Sequence, residues 1–135
     1  MNIEDVRQYM LELPGAEEVC PFADENEIII YKIGGKWFAA YIFGRPEFLA
    51  VKCDPVRAVL LREHYDAITP AWHFNKRHWN DLRFTQLPTE IVKREIRHSY
   101  LAVIKANVTP KALRDTMLRQ AAEAGVTDAA YPETL

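Results

Sequence analysis

Two β-type runs around a Gly34-Gly35 pair constrain this chain most. Residues 27–33 are rich in β-branched side chains, and residues 36–43 continue in the same style. A glycine pair between such runs predicts a β-hairpin with a two-residue turn, because that turn needs positive φ at both central positions. Gly44-Arg45-Pro46 breaks the second run, and residues 48–53 read as a third strand. An antiparallel meander therefore forms the centre of the fold.

Helices flank it. Asn2 is an N-cap with Asp5 at N3, and Ile3, Val6, Met10 and Leu13 share one face before Pro14-Gly15 stops the helix. Residues 16–22 read as an irregular acidic linker. Asp54-Pro55 starts a second helix, with Val56, Val59, Leu60 and Tyr65 as its apolar stripe; Thr69-Pro70 ends it. Residues 79–84 predict a short strand with Trp79, Leu82 and Phe84 inward. Leu87-Pro88-Thr89-Glu90 opens a long helix through about residue 106, with Ile91, Ile96, Ser99, Tyr100 and Val103 on its apolar side. Thr109-Pro110 opens a last helix, in which Leu113, Met117 and Ala121 share a face and Gly125 is the stop; residues 126–135 read as a loose tail. The expected class is α+β, an antiparallel sheet with helices on one face.

The 135 residues suit one domain. Net charge is −2, which gives no global case for nucleic acid. Its distribution is uneven: residues 1–27 hold eight acids and one base, whereas residues 57–105 hold nine bases, five acids and all four histidines. No membrane-length apolar run and no signal peptide stand in the chain, so a cytoplasmic protein is expected. Cys20 and Cys53 make neither a disulfide framework nor a zinc pattern.

The densest chemistry lies in Trp72-His73-Phe74-Asn75-Lys76-Arg77-His78-Trp79-Asn80. Rings offer flat apolar platforms, while cations and amides donate to phosphates and base edges. The competing reading is a solvated turn between strands with both indoles buried. Lys93, Arg94, Arg97 and His98 read as a cationic helix face beside this loop, or as a face kept soluble by charge. His73 and His78 lack the spacing of a helical zinc pair and have no carboxylate cluster, so no metal is expected. His98 is poorly placed to activate Ser99, which reads as a small residue at a helix–sheet contact. Gly34-Gly35-Lys36 lacks the spacing of a phosphate loop. No catalytic residue and no cofactor is expected.

Several segments resemble the MmcQ/YjbR family: Leu13-Pro14-Gly15-Ala16-Glu17-Glu18 with Pro21-Phe22, Tyr31-Lys32-Ile33-Gly34-Gly35-Lys36-Trp37-Phe38-Ala39, Leu49-Ala50-Val51-Lys52-Cys53, His73-Phe74-Asn75-Lys76-Arg77-His78-Trp79-Asn80, and Leu87-Pro88 with the helix reaching His98-Ser99-Tyr100. The resemblance covers residues 1–106; residues 107–135 are a C-terminal helix and tail packed on or extending that domain. It implies a bacterial, cytoplasmic protein with a CyaY-like (frataxin-like) fold and a double-wing DNA-binding motif. It brings no catalytic residues, and its likeness to frataxin carries no iron site.

The leading expectation is a non-enzymatic DNA-binding domain. Its contacts would be His73, Asn75, Lys76, Arg77, His78, Trp79 and Asn80, with Arg94 and Arg97 beside them. The alternative is a protein-interaction module or chaperone-like adaptor using Trp72, Phe74 and the last helix. A third reading gathers His73, His78 and Tyr100 in a small-ligand pocket. The partner is thus DNA or a protein, no membrane is involved, and both a monomer and a weak homodimer remain open.

Overall fold

A computed structural model describes residues 1–20 and 27–128. The remainder of the acidic linker and the tail beyond residue 128 lie outside the described residues. Helix α1 (Ile3–Leu11) leads into strand β1 (Glu17–Val19). Strands β2 (Ile28–Ile33), β3 (Lys36–Ile42) and β4 (Phe48–Lys52) form the meander. Helix α2 (Pro55–His64), strands β5 (Ile68–Pro70) and β6 (Trp79–Arg83), and helices α3 (Thr89–Asn107) and α4 (Lys111–Glu123) follow. The six strands are antiparallel in the order β1-β2-β3-β4-β6-β5.

Local rules explain most of this. The Asn2 side chain accepts from Asp5 N–H and the Asp5 carboxylate accepts from Asn2 N–H, a reciprocal cap for α1. Asp54 caps α2 by accepting from the Val56 and Arg57 amides, with Pro55 in the first turn. Gly34 and Gly35 take φ of 57° and 77°, as the two-residue hairpin turn demands. Gly125 follows α4 with φ 76°.

The helices cover one sheet face. Tyr31, Ile33, Phe38, Leu49, Val51 and Leu82 meet Val6, Met10, Ile96, Tyr100 and Val103 there. Where a bulge displaces Phe38, the Ser99 hydroxyl donates to the Phe38 carbonyl (2.5 Å) and accepts from Lys52 N–H (2.9 Å). Ser99 is therefore a polar filler between helix and sheet, as expected from its size. Met117 and Leu118 pack on the same core and Ala121 is buried, which attaches α4 to the domain.

Three expectations need correction. Residues 16–22 are not wholly irregular, because Glu17–Val19 pairs with β2; Arg7 grips Glu18 at 2.6 Å, which lets an acidic strand close that edge. The Thr69-Pro70 stop belongs to β5, where proline is tolerated because the strand is at an edge. The stripe of α2 is displaced. Val56 (69%) and Val59 (49%) are exposed, while Arg57, Ala58 and Leu61 face inward. The reason is Glu95 of α3. It lies buried and accepts from Arg57 Nη2 (2.8 Å), Arg57 Nε (3.0 Å) and Arg94 Nε (2.7 Å), and so turns the charged side of α2 toward the core.

Candidate functional site

The opposite sheet face is covered by the β5–β6 connection. Alternation along β4 and β6 puts Ala50, Lys52, Trp79 and Asp81 on this face and Leu49, Val51, Asn80 and Leu82 on the helix face. Ala40 and Ala50 are small, so rings can lie flat over them. Phe74 stacks on Trp79 with centroids 4.7 Å apart at 25° and meets the edge of Trp37 at 6.4 Å. Together they cover Ile30, Ala40, Ala50 and Ala71. Trp79, Leu82 and Phe84 are all buried, but Trp79 faces away from the other two.

This anchor pushes residues 75–77 outward as a turn. Asn75 Oδ1 accepts from Arg77 N–H (2.8 Å), and the Asn75 carbonyl accepts from His78 N–H (3.2 Å). Cys53 N–H donates to the His78 carbonyl at 2.7 Å. Arg62 of α2 braces the rear: its guanidinium donates to the Lys76 carbonyl and to Asn80 Oδ1 (2.6 Å). Asn80 also donates to the Ala58 carbonyl at 3.4 Å.

His73, Asn75, Lys76 and Arg77 are exposed and His78 is half-buried. Lys76 Nζ donates to the Ala71 carbonyl at 2.8 Å. No carboxylate is paired with Lys76, and the Arg77 guanidinium has no hydrogen bond or ion pair among the described residues.

The other expected contacts are elsewhere. Trp79 and Asn80 are buried and hold the loop from beneath. Arg94 is 5% exposed and hydrogen-bonded to Glu95. Arg97 donates to the Tyr9 hydroxyl at 3.0 Å, toward α1. His98 is buried; Nε2 accepts from Asp54 N–H (3.2 Å) and Nδ1 meets Asp128 at 3.1 Å. The body of α3 packs on the face opposite Phe74, so Arg94, Arg97 and His98 do not flank the loop; its C-terminal residues Ala106 and Asn107 come near it. The expected His73–His78–Tyr100 pocket does not form either: Tyr100 is buried in the helix-side core, edge to face with Phe38. The expected patch of Trp72, Phe74 and the last helix is divided in the same way, since Phe74 is packed down and α4 lies on α3.

Sequence reading missed Arg45, Asp81 and Lys52, which are isolated charges in and around strands. The Asp81 carboxylate accepts from the Arg45 guanidinium and from Trp72 N–H (3.0 Å). The guanidinium lies 4.2 Å over the Phe48 ring and 5.4 Å over Trp72, and Trp72 (59% exposed) stacks on His73 at 4.2 Å. A cleft of about 360 Å³ opens here among Ile42, Phe43, Arg45, Trp72 and His73. A second, of about 390 Å³, lies between the loop and the end of α3, lined by Lys52, Asn75, His78, Trp79, Ala106 and Asn107. Burial pushes the Cys53 thiol well above its usual range, so it is inert as a nucleophile. No three metal-binding side chains cluster, and no helix is long and apolar enough to cross a membrane, among the described residues.

The sequence pattern described as YjbR matches residues 11–102, which include the hairpin, the loop and most of α3. The uncharacterized protein YbdF of Escherichia coli O157:H7 is 38% identical over 78 residues, 56% of this chain and 62% of that protein. The chain thus spans less than two thirds of that relative's length. The crystal structure of Deinococcus radiodurans protein DR2400, a DUF419 domain, superimposes with a TM-score of 0.74 at 29% identity, covering 99% of this chain and 95% of that one. A Pseudomonas syringae protein shares the fold, with a TM-score of 0.67 at 19% identity over 76% of this chain and 98% of its own.

Proposed function

The chain belongs to the YjbR family, and we propose that it works as a non-enzymatic, cytoplasmic DNA-binding domain whose 71–78 connection is the wing that meets the phosphate backbone. One observation carries the reading. Lys76 and Arg77 stand on a turn locked by the Phe74–Trp79 stack, with no carboxylate paired to either among the described residues. A rigid turn lowers the entropy lost on binding. His73 and Asn75 are exposed on the same loop, and Asn75 is held through its Oδ1 alone, which leaves its amide nitrogen to donate. Arg94 and Arg97 are not part of this interface.

Phosphate contacts would supply most of the affinity. If about three phosphates are neutralised, affinity falls about 40-fold between roughly 50 and 200 mM salt. Anisotropy with a short labelled duplex tests this, using the native protein and Lys76→Glu/Arg77→Glu. Loss of binding in the variant is expected; equal binding by both removes the proposal.

A second reading is a protein-interaction module or chaperone-like adaptor. It is favoured by Trp72 and Phe43 (49%), both exposed beside Arg45. Tryptophan and arginine are over-represented among residues that dominate interface energies. A protein partner retained at high salt and lost in Trp72→Ala, with no DNA bound, supports this reading over the first.

A further inference from the structure

We propose that the cleft between the 75–78 turn and the C-terminal end of α3 is a phosphate-binding site, with Lys52 as its charge and His78, Asn75 and Asn107 as its hydrogen-bond donors. The inference does not depend on the wing.

Four segments converge on this cleft of about 390 Å³: Lys52 from the end of β4, Asn75 and His78 from the loop, Trp79 from the start of β6, and Ala106 and Asn107 from α3. Its position is fixed from behind. Lys52 pairs with Trp79 in the ladder, and the Cys53 amide holds the His78 carbonyl. The polar lining consists of groups with donors to spare. Lys52 Nζ donates to Asn107 Oδ1 at 3.0 Å, which uses one of three N–H bonds and leaves the Asn107 amide nitrogen available. Asn75 is held through its Oδ1, which frees its nitrogen in the same way. The His78 ring makes no hydrogen bond among the described residues.

Charge completes the argument. No carboxylate lines the cleft, and none is paired with Lys52 among the described residues. The charged neighbour that acts on Lys52 is another cation, Lys36. Burial, and after it the repulsion from Lys36, holds the Lys52 amino group below lysine's usual range. Attraction to a bound anion works against both effects. The donors are separate N–H groups around one concavity, which suits the several acceptor oxygens of a phosphoryl group. That group can come from free phosphate, from a strand terminus or from a backbone diester.

The test is an amide NMR titration with inorganic phosphate, against sodium chloride at equal ionic strength. Saturable shifts at Lys52, Asn75, His78 and Asn107 are expected, weakened at least tenfold in Lys52→Met. Asn107→Asp, which sets a carboxylate against Lys52 in the cleft, should abolish them. Unsaturable shifts, or equal shifts in Asn107→Asp, overturn the site. Octathymidylate with and without a 5′-phosphate then separates the sources. A several-fold preference for the phosphorylated strand assigns a terminal phosphate; equal affinities that both fall in Lys52→Met assign the diester; affinities unmoved by Lys52→Met count against the site. The two readings fail separately. Phosphate shifts in a protein that ignores duplex DNA keep the cleft and remove the wing, and duplex binding without phosphate shifts does the reverse.

Discussion

Phe74 lies on Trp79 with ring centres 4.7 Å apart and planes 25° from parallel, and that contact turns a polar connection into a fixed surface. The offset stack covers the small residues Ala40 and Ala50 on the sheet face that has no helix. Removing the Phe74 ring should therefore loosen residues 75–77 without touching the helix-side core. Phe74→Ala is expected to cost about 2 kcal/mol, below the cost of a fully buried phenylalanine because the ring is only partly buried. Urea unfolding measures it, and amide exchange at Arg77 and His78, whose N–H groups are hydrogen-bonded within the turn, should accelerate. A variant as stable as the parent, with unchanged exchange there, would mean that the stack anchors nothing.

Glu95 is the internal counterpart of that surface. Its carboxylate serves Arg57 and Arg94, all three being buried. Glu95→Gln leaves two guanidinium groups without it, and a loss of about 3–5 kcal/mol is expected. The exposed Glu123→Gln should stay within about 0.5 kcal/mol. Similar midpoints for the two variants would contradict the buried cluster.

The N-terminal closure should depend on pH. The Arg7 hydrogen bond holds the Glu18 carboxyl below the usual glutamate value of 4.5, with burial opposing it and the Tyr31 hydroxyl assisting. A depressed folded pKa contributes stability that is complete above the unfolded value and is lost as pH falls through the folded one. The stability gap between the native protein and Glu18→Gln should thus be full near about pH 7 and shrink below 4.5. Urea midpoints across that range decide it; a gap that widens on acidification has the wrong sign.

The hairpin glycines should not be equivalent. Both need positive φ, but a Cβ at Gly34 would meet Val108 Cγ2 at 2.9 Å and Met117 Sδ at 3.2 Å, whereas one at Gly35 would meet nothing within 4 Å. Gly35→Ala should cost about 1 kcal/mol from the backbone alone. Gly34→Ala should cost about 3 kcal/mol, because β-branched Val108 cannot swing aside. Thermal unfolding of the pair tests the order, and the reverse order would detach the last helix from the hairpin.

Signals carried by neighbouring residues were legible in the sequence: the Asn2–Asp5 cap, the Gly-Gly hairpin, the Asp54-Pro55 helix start and the stop at Gly125. Glu17–Val19 and Ile68–Pro70 were not, since three residues are too few for alternation to register. The face of α2 was misread because Arg57 is buried through Glu95, 38 residues away in sequence. Lys76 and Arg77 were picked out by their aromatic setting, and both are exposed. Arg94 and His98 were misplaced because helical spacing alone does not say which polar face meets another helix. Lys52 had a usable signal: with Ala50 it alternates against Leu49 and Val51, which puts a lysine on the face where Trp79 lies.

The most direct measurement is an amide NMR titration of the native protein with a short DNA duplex at low salt. A wing-borne interface predicts saturable shifts centred on residues 73–78 that fade as salt is raised. Shifts centred on α1 or α4, or none at all, would contradict it.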